Sequence, residues 1–93
     1  MIEAKLYATL RAIAGSKTVT LERQPDTVGA ALEELIDRFP DLRPGLLSDE
    51  GTVRPFVAVM VDGRDIRHLG GLDTPLPDDA TLDIFPPVAG GSA

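Results

Sequence analysis

One segment of the sequence, QPDTVGAALEELIDRFPDL at residues 24–42, limits the possible folds most strongly, because it carries a single apolar stripe with helical spacing. The apolar side chains of this stripe recur three and four residues apart and are Val28, Ala31, Leu32, Leu35, Ile36 and Phe39. The spacing predicts one amphipathic α-helix that begins at a cap formed by Asp26 or Thr27 and ends at Pro40. Such a helix must bury its stripe against a second layer, which the rest of the chain has to supply.

The segment before this helix alternates with the period of two that is typical of β-strands. Residues 2–10 place one set of apolar side chains on a single face, namely Ile2, Ala4, Leu6, Ala8 and Leu10. Residues 17–22 alternate in the same way, and residues 14–17, AGSK, form a turn signal between the two segments. The pattern therefore predicts a β-hairpin at the start of the chain.

The segment after the helix contains more strand signals. Residues 41–55 hold prolines, glycines and charges and predict a loop, with a short helical turn within it as the alternative. Residues 56–61, FVAVMV, predict a strand covered on both faces or nearly so. An Asp62-Gly63 turn then leads to a short strand through Ile66, and residues 80–86 alternate once more as a final strand.

These elements predict an α+β fold in which one mixed sheet of four to five strands carries one main helix on one face. We expect the first and last strands to form the central parallel pair, because the helix supplies the crossover that a parallel pair requires. This arrangement is the β-grasp, or ubiquitin-like, roll. We expect the β-grasp domain to occupy residues 1–86, followed at residues 87–93 by a flexible tail that carries a diglycine.

The amino-acid composition excludes several kinds of site and disfavours several kinds of partner. The 93 residues, 43% of them hydrophobic, suit one small domain. There is no cysteine and only one histidine, His68, so disulfides and thiolate chemistry are excluded and no metal site is expected. The net charge of −6 disfavours nucleic acid and anionic membranes and fits a basic protein partner better. With neither a membrane-length apolar run nor a signal-peptide pattern, we expect a cytoplasmic protein.

The C-terminal segment FPPVAGGSA, residues 85–93, combines two prolines with two glycines. Pro86 and Pro87 cannot donate to a sheet ladder, so they end the last strand and stiffen the base of the tail. Gly90 and Gly91 lack a Cβ atom and suit a narrow channel. Residues 87–91 span at most about 16 to 18 Å. The pattern indicates a thin extension that reaches into another protein, and a frayed terminus is the alternative.

Four segments together resemble the MoaD/ThiS family of ubiquitin-like sulfur carrier proteins, specifically the longer MoaD-like members of the CysO type. They are MIEAKLYATLRAIAG, DTVGAALEELIDRFP, LGGLDTPLPDDATL and, above all, the ending IFPPVAGG. The resemblance implies that a ubiquitin-activating-type enzyme (MoeB/ThiF-like) uses ATP to adenylate the carboxylate of Gly91. The adenylate then becomes a thiocarboxylate, which donates sulfur to a synthase in molybdopterin, cysteine or other sulfur-metabolite biosynthesis. The chain itself would be no enzyme and would bind no cofactor.

Ser92 and Ala93 depart from the family pattern, because active sulfur carriers end at the second glycine. Some family precursors carry a short extension that a JAMM-type zinc peptidase removes, and this ending resembles such a precursor. The other interpretations are a segment added to the natural chain and a permanent ending that leaves the tail inert.

An apolar patch beside the tail forms the predicted partner-binding site. By alternation, Tyr7 and Phe85 point away from the helix-covered face. If the first and last strands are neighbours, the two rings lie close together, and we include Ile66 in the same exposed patch. The resemblance supports this patch as the surface that meets the adenylating enzyme, and cover by the loop at 41–55 is the alternative. The complete predicted set is Tyr7, Ile66, Phe85, Pro86, Pro87, Val88, Ala89, Gly90 and Gly91.

Other candidate sites have ordinary structural interpretations. The internal Gly70-Gly71 pair is expected in a turn and His68 in a loop. The acidic pairs Glu33-Glu34 and Asp78-Asp79 are expected to be solvated, on the polar helix face and in a turn respectively. Arg64 and Arg67 are expected to adjust partner contacts rather than bind phosphate.

Two further functions fit the same sequence. One is a ubiquitin-like protein modifier whose activated Gly91 is transferred to lysines of other proteins. The other is a non-catalytic β-grasp interaction module with an unused tail.

Overall fold

The computed structural model describes residues 1–87. Five strands and three α-helices follow the chain in the order β1 (Ile2–Leu6), α1 (Ala8–Ala14), β2 (Thr18–Leu21), α2 (Val28–Arg38), α3 (Arg43–Leu46), β3 (Ala58–Val61), β4 (Arg64–Asp65) and β5 (Thr81–Phe85). Short 3-10 turns lie at Pro40–Leu42, Ile66–His68 and Gly71–Asp73. No helix within these residues is long and apolar enough to cross a membrane.

The five strands form one mixed sheet in the order β2-β1-β5-β3-β4. β1 and β5 are parallel at its centre, with Leu6 opposite Ile84, and every other neighbouring pair is antiparallel. The predicted α+β fold with a central parallel pair is therefore confirmed.

The predicted central helix is also confirmed. The Thr27 hydroxyl caps α2 by accepting a hydrogen bond from the backbone N–H of Ala30 at 3.2 Å. The helix ends at Arg38, and Pro40 opens the next 3-10 turn. Its apolar stripe joins a single core with the inward side chains of the sheet, including Leu6, Leu82 and Ile84. One face of the sheet is thus covered, and we call the other the open face.

The predicted hairpin at the start of the chain is wrong in its connection. β1 ends at Leu6, and the helix α1 joins it to β2, although the two strands do pair antiparallel. Leu10 still reaches the core, but from the helix. Residues 8–14 favour helix because most are alanine, leucine or arginine, and Gly15 ends the helix in the left-handed conformation at φ 80°.

The region after α2 contains regular secondary structure at its start, where the sequence predicts a loop. The 3-10 turn at Pro40–Leu42 and the helix α3 bury Leu42 and Leu46 in the core. The predicted strand at 56–61 begins only at Ala58 and is covered on one face, because Val57, Val59 and Val61 are buried whereas Ala58 and Met60 are half-buried. Phe56 lies outside the strand and is exposed.

Glu34 is not solvated, contrary to the prediction from the helix pattern. Its side chain is 2% exposed, and its carboxylate accepts backbone N–H groups from Glu22 at 2.8 Å and Arg23 at 3.1 Å. These N–H groups follow β2 and find no strand partner, so the buried carboxylate satisfies both and ties α2 to the sheet. The adjacent Glu33 is exposed, as predicted.

Candidate partner-binding site

The site lies where β1 and β5 end side by side on the open face. The parallel register pairs Leu6 with Ile84, so the next residues of the two strands, Tyr7 and Phe85, become neighbours. Their rings stack with centroids 4.3 Å apart and an interplanar angle of 13°. The prediction that these two rings lie together is confirmed, and both remain half-buried rather than covered.

Polar contacts hold the Tyr7 ring in this position. Its hydroxyl donates to Oδ1 of Asp83 at 2.9 Å, and Nζ of Lys17 lies 5.2 Å from the ring centroid on a cation–π contact. The hydrogen bond to Asp83, with desolvation and the charge of the same carboxylate, raises the pKa of Tyr7 above its usual value of 10.0. The aromatic pair is therefore a fixed surface, with a neutral phenol at ordinary pH.

The prediction that Ile66 joins this surface is wrong. β4 is only two residues long, and the Asp65 carboxylate accepts the backbone N–H of Arg67 at 2.9 Å, which turns the chain away from the strand. Ile66 begins a 3-10 turn and is buried in the core at 4% exposure. Ala58 and Met60 lie on the open face beside β5 instead. These two side chains are not among the predicted site residues, although alternation within residues 57–61 is the signal that identifies them.

The two prolines at the base of the tail have different environments. Pro86 is buried, so it fixes the base of the tail against the body, whereas Pro87 is exposed. The predicted contacts at Val88, Ala89, Gly90 and Gly91 lie outside the described residues, as do Ser92 and Ala93. The predicted division into a domain at 1–86 and a tail at 87–93 stays a prediction.

The remaining candidates lie away from this surface or serve local structure. The backbone N–H of Gly70 donates to the Thr74 hydroxyl at 2.9 Å and Gly71 starts a 3-10 turn, as expected for a turn pair. His68 and Arg64 are exposed, as are Asp78 and Asp79. Within residues 1–87, no group of three or more histidine or acidic side chains is arranged to hold a metal ion.

Arg67 has a structural role that the sequence did not predict. Its Nη2 atom donates to the backbone carbonyls of Pro55 and of Val57, the latter at 2.7 Å. The side chain therefore ties the segment before β3 to the turn after β4.

The mixed five-stranded sheet, the helix packed on one face and the aromatic pair at the root of the C-terminal segment define a ubiquitin-like protein of the β-grasp class. The model of the ThiS family matches residues 4–91. The chain belongs to the ThiS family.

Three relatives illustrate the similarity. Small archaeal modifier protein 3 of Haloferax volcanii is 38% identical over 91 residues, which cover 97% of this chain and 98% of the relative. The sulfur carrier protein CysO of Mycobacterium tuberculosis is 34% identical over 79 residues, 83% of each chain. In the crystal structure of the BexX/CysO complex of Amycolatopsis orientalis, the matching chain superposes with a TM-score of 0.86 at 29% identity, covering 98% of this chain and 100% of that one.

Proposed function

We propose that this protein is a sulfur carrier whose reactive group is the carboxylate of Gly91, freed by removal of Ser92 and Ala93. The observation that carries the proposal is that the family match begins at residue 4, runs through Gly91 and ends there, before Ser92 and Ala93. The likeness to CysO, named a sulfur carrier protein, supports the same function. We place the protein in the cytoplasm, where its partners would act.

The chemistry explains why the carrier needs other proteins. A carboxylate is a poor electrophile, so the Gly91 carboxylate first attacks the α-phosphate of ATP and releases pyrophosphate. A sulfide equivalent then attacks the carbonyl of the acyl adenylate and displaces AMP, which leaves a thiocarboxylate. In this scheme the chain acts as a substrate rather than an enzyme, and ATP is bound by the adenylating partner.

The geometry of the site fits delivery of this group to an enzyme. Residues 87–91 reach at most about 16 to 18 Å, so an enzyme that holds Gly91 must also approach the body of the carrier. The stacked Tyr7 and Phe85 rings lie at the base of this reach and offer a fixed apolar surface. We assign them to the contact with a MoeB/ThiF-like adenylating enzyme, and next with a sulfur-accepting synthase. A JAMM-type peptidase would supply the mature ending.

A series of C-terminal truncations tests this function. We expect the chain that ends at Gly91 to support ATP–pyrophosphate exchange by the adenylating enzyme of the same organism. The chain that ends at Gly90, and the chain that retains Ser92 and Ala93 in the absence of peptidase, should give no exchange above background. Equal exchange by all three chains would refute the role of the Gly91 carboxylate.

A ubiquitin-like modifier is the second candidate, favoured by the 38% identity to small archaeal modifier protein 3. Activation of Gly91 is the same in both cases, but the nucleophile is then a lysine amine and the product is an isopeptide. Tryptic digests of cell extract distinguish the two functions, because only the modifier leaves C-terminal residues of this chain attached to lysines of other proteins.

A further inference from the structure

Phe56 is the most exposed large apolar side chain in residues 1–87. It is 80% exposed, compared with 70% for the N-terminal Met1 and 41% for both Ile13 and Leu69. A scattered exposed leucine is ordinary, but an aromatic ring held almost entirely in solvent gains little from folding of its own chain. Its position therefore calls for a role outside the core.

The segment that presents Phe56 is a tight, well-anchored turn. The backbone N–H of Val57 donates to the carbonyl of Arg54 at 3.1 Å and closes the turn at 54–57. The Arg54 side chain donates from Nε to the carbonyl of Pro44 at 2.5 Å, and the Arg67 side chain donates to the carbonyls of Pro55 and Val57. Arg54 thus ties the turn to α3 and Arg67 ties it to the turn after β4, so the exposure of Phe56 belongs to an ordered conformation.

The turn lies at the end of the sheet from which the tail continues. In the antiparallel register of β3 and β5, Ala58 lies opposite Phe85. Phe56 precedes Ala58 by two residues, just as Pro87 follows Phe85 by two. Residues 88–91 add at most about 14 Å, so a protein that holds Gly91 in its active site comes close to this turn.

Charge indicates what kind of surface fits the turn. Arg54 and Arg67 are both exposed beside Phe56, although the chain as a whole is acidic. The carboxylate of Asp65 is engaged by the backbone N–H of Arg67, and the acidic residues at 49–50 are separated from the turn by the Leu47–Val53 bridge. An exposed aromatic ring on a turn that also carries Arg54 and is bound by Arg67 matches an apolar pocket with carboxylates at its rim.

We propose that the turn at 54–57 is a second anchor for the adenylating enzyme, separate from the Tyr7–Phe85 surface. Phe56 enters an apolar pocket of that enzyme, and carboxylates at the rim of the pocket face Arg54 and Arg67. This inference rests on the proposed carrier function, because it places the enzyme that binds Gly91 against this end of the body.

Phe56→Ala tests the anchor in the exchange reaction with the chain that ends at Gly91. We expect KM for the carrier to rise at least about tenfold, with kcat and the melting temperature unchanged, because the ring is 80% exposed and would act in docking rather than in the chemical step. Leu69→Ala is the matched control, since Leu69 is also exposed but lies beside Val61 and Asp62 at the opposite end of β3. Its KM should stay within about twofold of the parent chain.

A parent chain that exchanges normally together with an unchanged KM for Phe56→Ala would overturn the anchor and leave the carrier function standing. A parent chain without exchange would refute the carrier function, and with it the anchor. Sedimentation of the parent chain over a range of concentrations tests the competing role. A dimer that dissociates on Phe56→Ala would assign the ring to a second copy instead.

A pair of charged replacements tests the carboxylate rim. Phe56→Glu and Phe56→Lys both remove the ring, but only glutamate would be repelled by acidic groups. We expect KM to rise several-fold more for Phe56→Glu than for Phe56→Lys, and the difference to shrink at high salt. Equal values for the two variants at low salt would contradict an acidic rim.

Discussion

Tyr7 combines two roles at the scale of a single residue, because its ring stacks on Phe85 and its hydroxyl is bound by Asp83. The hydroxyl donates its proton to a carboxylate, so ionisation of the phenol would break the bond and place two negative charges together. The neutral form is therefore favoured, and the contact contributes stability below pH 10.0 that is lost as the pH rises through the higher pKa of the folded protein.

Spectroscopic titration tests this contact directly, because Tyr7 is the only tyrosine and the chain has no tryptophan. We expect the ultraviolet absorbance of tyrosinate to appear with a midpoint above pH 10.0 in the parent chain. Asp83→Asn should lower that midpoint towards the usual value, whereas Asp65→Asn should leave it unchanged. A midpoint that does not respond to Asp83→Asn would show that the hydrogen bond does not form in solution.

Phe85 is the residue whose replacement separates docking from folding. It is half-buried on the open face, so Phe85→Asp should lower the free energy of unfolding by only about 1 to 2 kcal/mol. The affinity of the Phe85→Asp variant for the adenylating enzyme, measured by calorimetry, should fall by at least about tenfold. Thr81→Ala is the control, because Thr81 begins the same strand on the same face. A collapse of the melting temperature in Phe85→Asp would mean that the ring belongs to the core.

At the scale of elements, the buried carboxylate of Glu34 links α2 to the end of β2. It is the acceptor for two backbone N–H groups, at 2.8 and 3.1 Å. Loss of this acceptor leaves both donors unsatisfied, so Glu34→Ala should lower the free energy of unfolding by about 2 to 4 kcal/mol in urea denaturation.

Two matched variants make the Glu34 prediction specific. Glu34→Gln keeps one acceptor oxygen and should cost less than Glu34→Ala. Glu33→Ala, which removes the exposed neighbouring carboxylate, should change stability by no more than about 0.5 kcal/mol. Equal effects of Glu33→Ala and Glu34→Ala would contradict the buried link.

The elements differ in how far the sequence predicts them. α2 and β5 were predicted because each is long enough to display its period and each is bounded by a proline. α1 was missed because seven residues give barely two turns, and Leu10 fits both the strand pattern and the helix. Glu34 was misassigned because a pattern of polar residues does not reveal which of two adjacent carboxylates meets unpaired N–H groups.

The site residues also differ in how far the sequence predicts them: local pattern places some of them, and tertiary contacts place the others. The Tyr7–Phe85 pair follows from alternation and the parallel register, so the sequence was sufficient. The placement of Ile66 depended on where β4 ends, and a strand of two residues is too short for periodicity to show its end. Phe56 was assigned to a strand because an apolar run does not show where pairing begins, and the arginine contacts that hold its turn are tertiary.

At the scale of the whole molecule, one hydrophobic core joins the sheet to α1, α2 and α3 within the described residues 1–87. We therefore expect a chain that ends at Pro87 to keep the stability of the parent chain to within about 0.5 kcal/mol in urea denaturation. The same truncated chain should give no ATP–pyrophosphate exchange. A substantial loss of stability on truncation would show that the tail packs on the body and would undermine its assignment as a reach for the partner.

Intact-mass analysis of the protein isolated from its own cells tests most directly whether Gly91 carries sulfur. The carrier function predicts a species that ends at Gly91 and is heavier by the difference between one sulfur and one oxygen atom. A chain that ends at Ala93 under every growth condition, with no sulfur-bearing form, would contradict the function.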